Sequence, residues 1–269
     1  MKIGRQDHRS SSISTSNAET IVVRGRDLAA ELVGSIGFTE HFWLLLTGTR
    51  PSAAQLRVLD ATLVAIAEHG LVPSVQAARM TLAAAPEALQ GAVAAGILGC
   101  GSVVLGSSEA AGRLYAEIHG RAAESSPREA ALTVIREYRA AKRAIPGYGH
   151  PLHKGRDPRA LRLFAVAQET RTAGPHAEIA GIVEQLLPEV VGRPLALNVS
   201  GAIPAVLLDA GYPLQALKGV PLLARTAGLV AHLLEEQTRP IGFVMSHAAG
   251  QAIGYDGDVP AGFVADKDG

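Results

Sequence analysis

The stretch PSAAQLRVLDATLVAIAEHG, residues 51–70, carries the pattern that decides the fold. Its large apolar side chains recur every three or four residues, which places them on one face of an α-helix. These side chains are Leu56, Leu59, Leu63 and Ile66. Ser52 precedes them as a candidate N-cap, and Gly70 follows at the place where a C′ glycine often ends a helix. The stretch therefore predicts an amphipathic helix with one buried face.

The same period continues along most of the chain. Asp27 and Thr39 are candidate caps for helices over LAAELVGSI and EHFWLLLTG, and Gly48 would end the second of these. A β-branched run, Ile21 to Val23, reads as a short strand or extended arm, and a Gly/Asp-rich tail closes the chain. Aromatic residues make up only 4% of the sequence, while Ala and Gly are abundant, so helices can pack closely. We expect an all-α fold of roughly a dozen mostly short helices.

Composition limits the classes of function. The chain has 269 residues, of which 48% are apolar, and its formal net charge is zero. No overall field would attract nucleic acid or an anionic membrane, so we expect neither as a partner. The single cysteine, Cys100, fits a reducing compartment. The N-terminus lacks the apolar core of a signal peptide, and no uncharged apolar run has the length of a membrane span. We therefore expect a cytoplasmic globular protein.

The loop AIPGYGHPLHKGRDPRA, residues 144–160, concentrates two imidazoles and several cations among glycines and prolines. His150 and His153 have the spacing of a metal-ligand pair on a helix. Pro151 lies between them, however, and no acidic or cysteine partner has matching spacing, so we predict no metal site. Phosphate-loop, Rossmann and nucleophile-elbow motifs are absent from the sequence.

Imidazole and guanidinium groups are left as candidates for chemistry. Arginines can bind the carboxylates of a di- or tricarboxylate in bidentate fashion, and histidines can donate to them or shuttle a proton. Lys154 and Arg156 could instead hold phosphates, and simple solvation of the loop is an equal alternative. Arg225 lies in the apolar segment PLLARTAGLVAH, which points to an anionic ligand or an internal salt bridge. Two further histidines can be explained by structure alone. His69 can be a helix-end residue whose charge interacts with the helix dipole, and His232 can be a helix-surface residue or a core residue with satisfied polar atoms.

Five segments, in order, resemble the citrate synthase superfamily over about residues 20–240. TIVVRGRDLAAELVGSIGFTEHFWLLLTGTRPSAAQ resembles its N-terminal part, and AEHG resembles its Asp-His-Gly/Glu. GYGHPLHKGRDPRA closely resembles its Gly-x-Gly-His loop ending in Asp-Pro-Arg. LNVSGA and ARTAGLVAHLLEE resemble its Asn-Val-Asp segment and its helix with Arg, His and Glu.

The resemblance implies a helical homodimer and a two-domain chain. A large domain would comprise residues 1–106 and 212–269, and a small domain, residues 107–211, would close over the active site. Coenzyme A would enter as part of an acyl-CoA substrate, together with a dicarboxylate or tricarboxylate. No permanently bound cofactor is expected.

The resemblance also implies roles for single residues. His150 would act on the oxygen of the keto or hydroxy carbon, and His69 would help to hold the citrate-like substrate. Arg159 and Arg225 would clamp carboxylates. Lys154, with Arg156, would meet the phosphates of coenzyme A.

Further roles are implied for the backbone and for a second subunit. Gly147 and Gly149 would let the backbone pass close to the coenzyme. Arg239, a late arginine, could reach the site of a partner subunit.

Two departures from the family pattern bear on the reaction. The family aspartate that removes the methyl proton of acetyl-CoA is replaced by Ser200, and serine is not a comparable base. The histidine of the Gly-Pro-Leu-His-Gly segment is replaced by Val104 or a neighbour. The chain is also short for a synthase and nearer in length to the citryl-CoA-cleaving module of ATP citrate lyase.

These departures favour a citryl-CoA lyase-like enzyme, in which a water held by Ser200 or Asn198 would protonate the acetyl-CoA enolate. One alternative is a synthase that condenses an acyl-CoA with a 2-oxo acid by means of another base. A second alternative is a non-catalytic relative that binds CoA esters or stabilises a partner subunit.

Overall fold

The structure, a computed structural model, describes residues 9–101, 105–149 and 157–263. Near the N-terminus, three short antiparallel strands form a sheet in sequence order: β1 (Ser14–Ser16), β2 (Ile21–Val23) and β3 (Arg26–Asp27). Thr15 pairs with Val22, and Val22 pairs with Asp27. The run Ile21 to Val23 is thus a strand, as predicted.

The rest of the described chain is mainly helical, which confirms the all-α prediction. The first five helices are α1 (Phe38–Thr47), α2 (Ala53–Ala67), α3 (Pro73–Ala84), α4 (Leu89–Leu98) and α5 (Ser107–Arg121). The next six are α6 (Pro127–Ala140), α7 (Pro158–Glu169), α8 (Pro175–Val191), α9 (Val199–Asp209), α10 (Gly219–Thr238) and α11 (Gly242–Ala252). A π turn at Leu28–Leu32 and a 3-10 turn at Leu214–Ala216 complete the set.

Capping explains several of these ends. The Ser52 hydroxyl accepts the N–H of Gln55, whose side chain accepts the N–H of Ser52, so the predicted cap is confirmed. Asp27 caps as predicted, but only a single π turn follows it. Gly48 ends α1 in the left-handed conformation, also as predicted.

Other predicted helix ends were wrong. Thr39 lies inside α1, whose N-cap is Gly37. Gly70 has a positive φ of 69°, but α2 already ends at Ala67. The C-terminal segment, interpreted as a Gly/Asp-rich tail without a further helix, contains α11.

The chain divides into two compact units. The first comprises the described part of Met1–Thr62 together with Ser108–Leu217, and the second comprises Leu63–Ser107 with Lys218–Gly269 as far as described. This division assigns residues 1–62 differently from the expected large and small domains, which stay a prediction.

In the first unit, α8 packs on α6 and α9, and α7 packs on α9. Trp43 meets Tyr212 edge to face, with ring centroids 5.7 Å apart. In the second unit, α3, α4 and α10 pack together around Val75, Leu82 and Leu229.

Close packing in the second unit depends on glycine. A Cβ on Gly228 would lie 2.1 Å from the carbonyl oxygen of Ala67, and one on Gly96 would lie 2.7 Å from Leu229 Cδ1. These contacts are tighter than any other residue type permits, so the many small residues serve close approach between segments, as the composition suggested.

The segment Leu214–Thr238, which contains α10, is long and apolar enough to cross a membrane by length and composition alone. Within its unit, α10 packs on α3 and α4 and buries Leu229 and Leu233 among them. Such packing is typical of the central helix of a globular core.

Candidate active site

In the first unit, the backbone of Gly147 to Gly149 lies against the start of α9. The carbonyl of Gly147 accepts the N–H of Asn198 at 3.0 Å, and the N–H of Gly149 donates to Ala196 at 2.7 Å. A Cβ on Gly147 would meet Gly201 Cα at 2.7 Å, and both Gly147 and Gly149 have positive φ. The close neighbour of Gly147 is therefore Gly201 of the same unit. The predicted contact of these glycines with a coenzyme stays a prediction.

Asn198 fixes this junction through its side chain. As the N-cap of α9, its Oδ1 accepts the N–H of Gly201 at 3.2 Å, while its Nδ2 donates to the carbonyl of Gly149 at 2.6 Å. Since both ends of the amide are engaged, Asn198 has a clear structural role here. Its predicted contact with substrate or water is a further, untested role.

Asp157, which is buried, and Arg159, which is half-buried, form an ion pair at the start of α7. Asp157 is 1% exposed and caps α7, with Oδ1 accepting the Arg159 N–H and Nε at 3.0 Å each. Its Oδ2 accepts Arg159 Nη2 at 2.8 Å and the N–H of Val199 at 3.2 Å. Arg159 therefore already holds one carboxylate, and within the described ranges its Nη1 and one N–H of Nη2 have no further acceptor, so they could meet another carboxylate.

The electrostatics of this pair favour the ionised acid. Burial of the Asp157 carboxyl acts to raise its pKa, but the Arg159 guanidinium and the backbone N–H groups of Arg159 and Val199 outweigh burial and lower it. The same carboxylate joins α7 to the first turn of α9.

Ser200 lies in that first turn of α9 and is half-buried. Its hydroxyl forms no hydrogen bond with any residue in the described ranges. The backbone N–H groups of a helix start give this position a positive potential. A hydroxyl there can orient a water but supplies no base comparable to a carboxylate.

Several predicted residues fall outside the described ranges. They are His150, Lys154 and Arg156, with His153 and Val104 of the loops discussed above. Their predicted roles stay predictions.

In the second unit, Arg225 is buried in the middle of α10. It is 4% exposed, and its Nε and Nη1 make no hydrogen bond within the described ranges. The sequence offered two explanations, an internal salt bridge or an anionic ligand, and the described residues provide no salt bridge. The hydroxyl of Ser74, 1% exposed, also lacks a hydrogen-bond partner there.

Cys100 belongs to the same buried neighbourhood. Its thiol donates to the carbonyl of Gly96 at 3.3 Å. Burial raises the pKa of the thiol, although Ser74 and the charge of Arg225 oppose that effect. The group is thus a neutral thiol near a buried cation.

His69 follows the end of α2 by two residues and is exposed. The preceding residue, Glu68, accepts the N–H of Gly70 and lies 2.9 Å from His232 Nε2. His232 in turn lies 3.3 Å from Arg79 Nη1 through its Nδ1. Of its two structural interpretations, a surface histidine or a core histidine with polar partners, the structure favours the second, because the side chain is only 14% exposed and contacts two charged groups.

Arg79 is the centre of an ion-pair network. It is 2% exposed, and its Nε donates to Glu236 at 2.6 Å while Nη1 donates to Glu235 at 2.9 Å. Its Nη2 donates to the carbonyl of Arg239 at 3.1 Å. Arg239 is exposed at the end of α10, and its predicted reach into a partner's site is untested.

No group of three or more His, Cys, Asp and Glu side chains that could hold a metal ion occurs within the described ranges. The groups there that can donate hydrogen bonds to an anion are guanidinium, imidazole, hydroxyl and backbone N–H groups. Such a set suits a small polycarboxylate.

Sequence reasoning missed four residues of these clusters: Asp157 as a partner, Glu68, Ser74 and Arg79. Asp157 had a readable signal, because Asp-Pro before a helical pattern is typical of an N-cap followed by proline at N1. The other three had none, since their roles depend on tertiary contacts.

Comparison with known proteins by a family model and by sequence points to the same family. The family model described as "Citrate synthase, C-terminal domain" matches residues 20–242. Citrate/2-methylcitrate synthase of Bacillus subtilis (strain 168) is 30% identical over 208 residues, which cover 75% of this chain and 53% of that protein. The chain spans about half the length of the curated relatives it matches.

Among solved structures, citryl-CoA lyase from Hydrogenobacter thermophilus superposes with a TM-score of 0.83 at 32% identity, covering 95% of this chain and 97% of that one. ATP citrate lyase from Methanothrix soehngenii, in complex with citrate and coenzyme A, has a TM-score of 0.75 at 22% identity. That match covers 98% of this chain and 44% of the other, and supports the fold alone.

Proposed function

The chain belongs to the citrate synthase family, and from that premise we propose that it is a citryl-CoA lyase-like enzyme. It would cleave a citrate-like acyl-CoA to acetyl-CoA and oxaloacetate. Coenzyme A would be part of the substrate and not a resident cofactor.

One observation carries the choice of a cleaving reaction. The likeness to a citryl-CoA lyase holds in both fold and sequence, with a TM-score of 0.83 at 32% identity. Ser200 in place of a basic carboxylate agrees with this choice, because deprotonation of acetyl-CoA is the step that condensation needs.

The buried Arg225 supports a carboxylate-bearing ligand. A buried cation without a partner is costly, and a bound carboxylate would supply the hydrogen bonds that Nε and Nη1 do not form with the described residues. His69 would contribute a second donor, and Arg159 would offer its remaining N–H groups to another carboxylate. Preorganised donors of this kind stabilise charge as it develops.

The proposed reaction is a retro-Claisen cleavage. His150 would take the hydroxyl proton of the substrate as the bond between the hydroxyl-bearing carbon and the α-carbon of the thioester breaks. The oxygen lone pair forms the carbonyl of oxaloacetate, and the electron pair of the broken bond passes to the thioester as an enolate. A water held near Ser200 would protonate that enolate and give acetyl-CoA.

We further propose that the protein is a homodimer. Apolar side chains of α10 and α11 are exposed in the single chain, namely Val230, Leu234, Phe243 and Val244. A second copy covering these side chains would remove them from water.

A direct assay tests the proposal. Purified protein is mixed with citryl-CoA, malate dehydrogenase and NADH, so that released oxaloacetate is recorded as loss of NADH. We expect NADH loss that disappears in His150→Ala while affinity for coenzyme A is retained. No loss with the wild-type protein would refute the lyase assignment.

The alternative, a synthase, is favoured by the sequence relatives, which are named citrate synthases. Release of free coenzyme A thiol from acetyl-CoA and oxaloacetate measures this direction. We expect wild-type condensation to be weak and Ser200→Asp to raise it, because the carboxylate restores a base. Fast wild-type condensation that Ser200→Asp leaves unchanged would favour the synthase.

A further inference from the structure

His232 lies between an acidic and a basic side chain of the second unit. Its Nε2 is 2.9 Å from Glu68 Oε2, and its Nδ1 is 3.3 Å from Arg79 Nη1. The Glu68 contact is close but not aligned as an ideal hydrogen bond. Because arginine can only donate, Nδ1 must be the acceptor, which leaves Nε2 to carry the N–H toward Glu68.

Arg79 holds the imidazole in a defined orientation. Its own position is fixed by Glu235 and Glu236 of α10 and by the carbonyl of Arg239. Glu236 is also fixed, since it accepts the N–H groups of Ile241 and Gly242. The orientation of the His232 ring therefore rests on the buried pair of Arg79 and Glu236, together with the exposed Glu235.

On its other side, His232 contacts the carboxylate that organises the segment after α2. Glu68 accepts the N–H of Gly70, and its carboxylate is also stabilised by the backbone of His69. The segment from Glu68 to Gly70 lies beyond the helix end, so helical hydrogen bonds do not hold it. The side chain of Glu68 takes over that function for the residues that flank and include His69.

We propose that His232 and Glu68 are positioning residues that fix the backbone at His69 for binding of the carboxylate-bearing substrate. The proposal rests on the function proposed above, in which His69 helps to hold that substrate. His232 acts only through Glu68 and needs no contact with the ligand. A displacement of about 1 Å at a binding group is enough to weaken its contact with the substrate substantially.

The proposal predicts a characteristic pH dependence. Partial burial acts to raise the pKa of Glu68, but the contact with His232 and the backbone N–H groups outweigh it and lower that pKa. Arg79, Glu235 and Glu236 are the other charged groups of this network, and Arg79 faces His232 and not Glu68. Loss of the His232 contact should therefore shift protonation of Glu68 to higher pH.

Two substitutions of one residue provide the test. In His232→Leu the N–H toward Glu68 is lost, whereas in His232→Gln the side-chain amide nitrogen takes about the place of Nε2 and keeps a donor. The quantities measured are kcat and KM for citryl-CoA from about pH 3.5 to pH 9, a range that reaches below the usual pKa of a glutamate carboxyl, and Tm for each variant.

We expect His232→Leu to raise KM roughly tenfold or more, with a smaller change in kcat, and to move the acid limb of kcat/KM to higher pH. His232→Gln should restore most of KM and of the pH profile.

His176→Leu is the matched control. His176 pairs with Asp209 at 2.8 Å in the first unit, so its loss also removes a histidine–carboxylate contact. It should lower Tm without changing KM or the acid limb.

The outcomes separate the two proposals. Turnover by the wild type with unchanged KM and acid limb in His232→Leu overturns the positioning role and leaves the function intact. A wild type without turnover overturns the proposed function. In that case the Kd for citrate, measured by calorimetry, replaces KM, and equal values for wild type and His232→Leu overturn the positioning role as well.

Discussion

Arg79 and Arg225 are two buried arginines of the same compact unit, and they differ in how their charge is satisfied. Arg79 is 2% exposed and donates to two carboxylates and a carbonyl. Arg225 is 4% exposed, and two of its three nitrogens have no partner in the described part of the chain. The two side chains are buried to nearly the same extent, but only Arg79 has its charge paired with described carboxylates.

The difference separates a structural charge from a functional one. A buried charge that is paired and hydrogen-bonded belongs to the fold, because removal of either partner leaves the other uncompensated. A buried charge without a partner lowers stability unless a ligand supplies the missing contacts. Substitution of each arginine by leucine therefore tests the distinction in opposite directions.

The largest effect on stability is expected for Arg79→Leu. The substitution leaves Glu236 buried without its cation, at a cost of about 3–5 kcal/mol in the free energy of unfolding. Urea unfolding followed by circular dichroism measures the loss. A loss near zero would mean that the ion pairs of Arg79 do not stabilise the fold.

Arg225→Leu should have the opposite effect: stability is kept or gained, and affinity for the ligand is lost. Because it removes a buried cation that has no salt bridge within the described ranges, the free energy of unfolding should stay level or rise by about 1–3 kcal/mol. The Kd for oxaloacetate or citrate, measured by calorimetry, should increase about a hundredfold. Undiminished affinity would show that the unpaired nitrogens do not serve the carboxylate.

How far the sequence predicts this arrangement differs from one residue to the next. Ser52, Gly48 and the strand Ile21 to Val23 follow from local signals, because caps, left-handed glycines and β-branched runs act over a few residues. The helix boundaries predicted at Thr39 and Gly70 differ from the observed ones by two or three residues, since several neighbouring residues can start or stop a helix.

The missed helix α11 had weak local signals. It lies after a proline in a Gly-containing segment, and its packing on α3 stabilises it. Helix formation there depends on tertiary contacts more than on local propensity.

The candidate site shows the same limit. Arg225 was found from sequence because a charge in an apolar run is conspicuous. The partnership of Glu68 with His232, and of Arg79 with Glu236, joins residues far apart in sequence, so no local pattern indicates it.

Arg159 is intermediate between these two arginines in its pairing. One edge of its guanidinium is held by Asp157, and the other edge has no acceptor within the described ranges. Asp157→Asn removes the charge but keeps a capping side chain, so we expect a loss of about 1–2 kcal/mol in the free energy of unfolding at neutral pH. Asp60→Asn, at an exposed position of α2, is the control and should leave that free energy unchanged.

The pH dependence of that loss tests its electrostatic origin. The Asp157 carboxyl has a lowered pKa in the folded protein, because contacts with Arg159 and backbone N–H groups outweigh burial. Its contribution to stability is therefore present above the unfolded-state pKa of about 3.9 and is lost as the pH falls through the lower folded value. The difference between wild type and Asp157→Asn should shrink as urea unfolding is measured from pH 6 down toward about pH 2. A difference that stays constant over this range would assign the effect of Asp157 to its shape in the N-cap, and Arg159 would then belong with Arg225 as a cation held for a ligand.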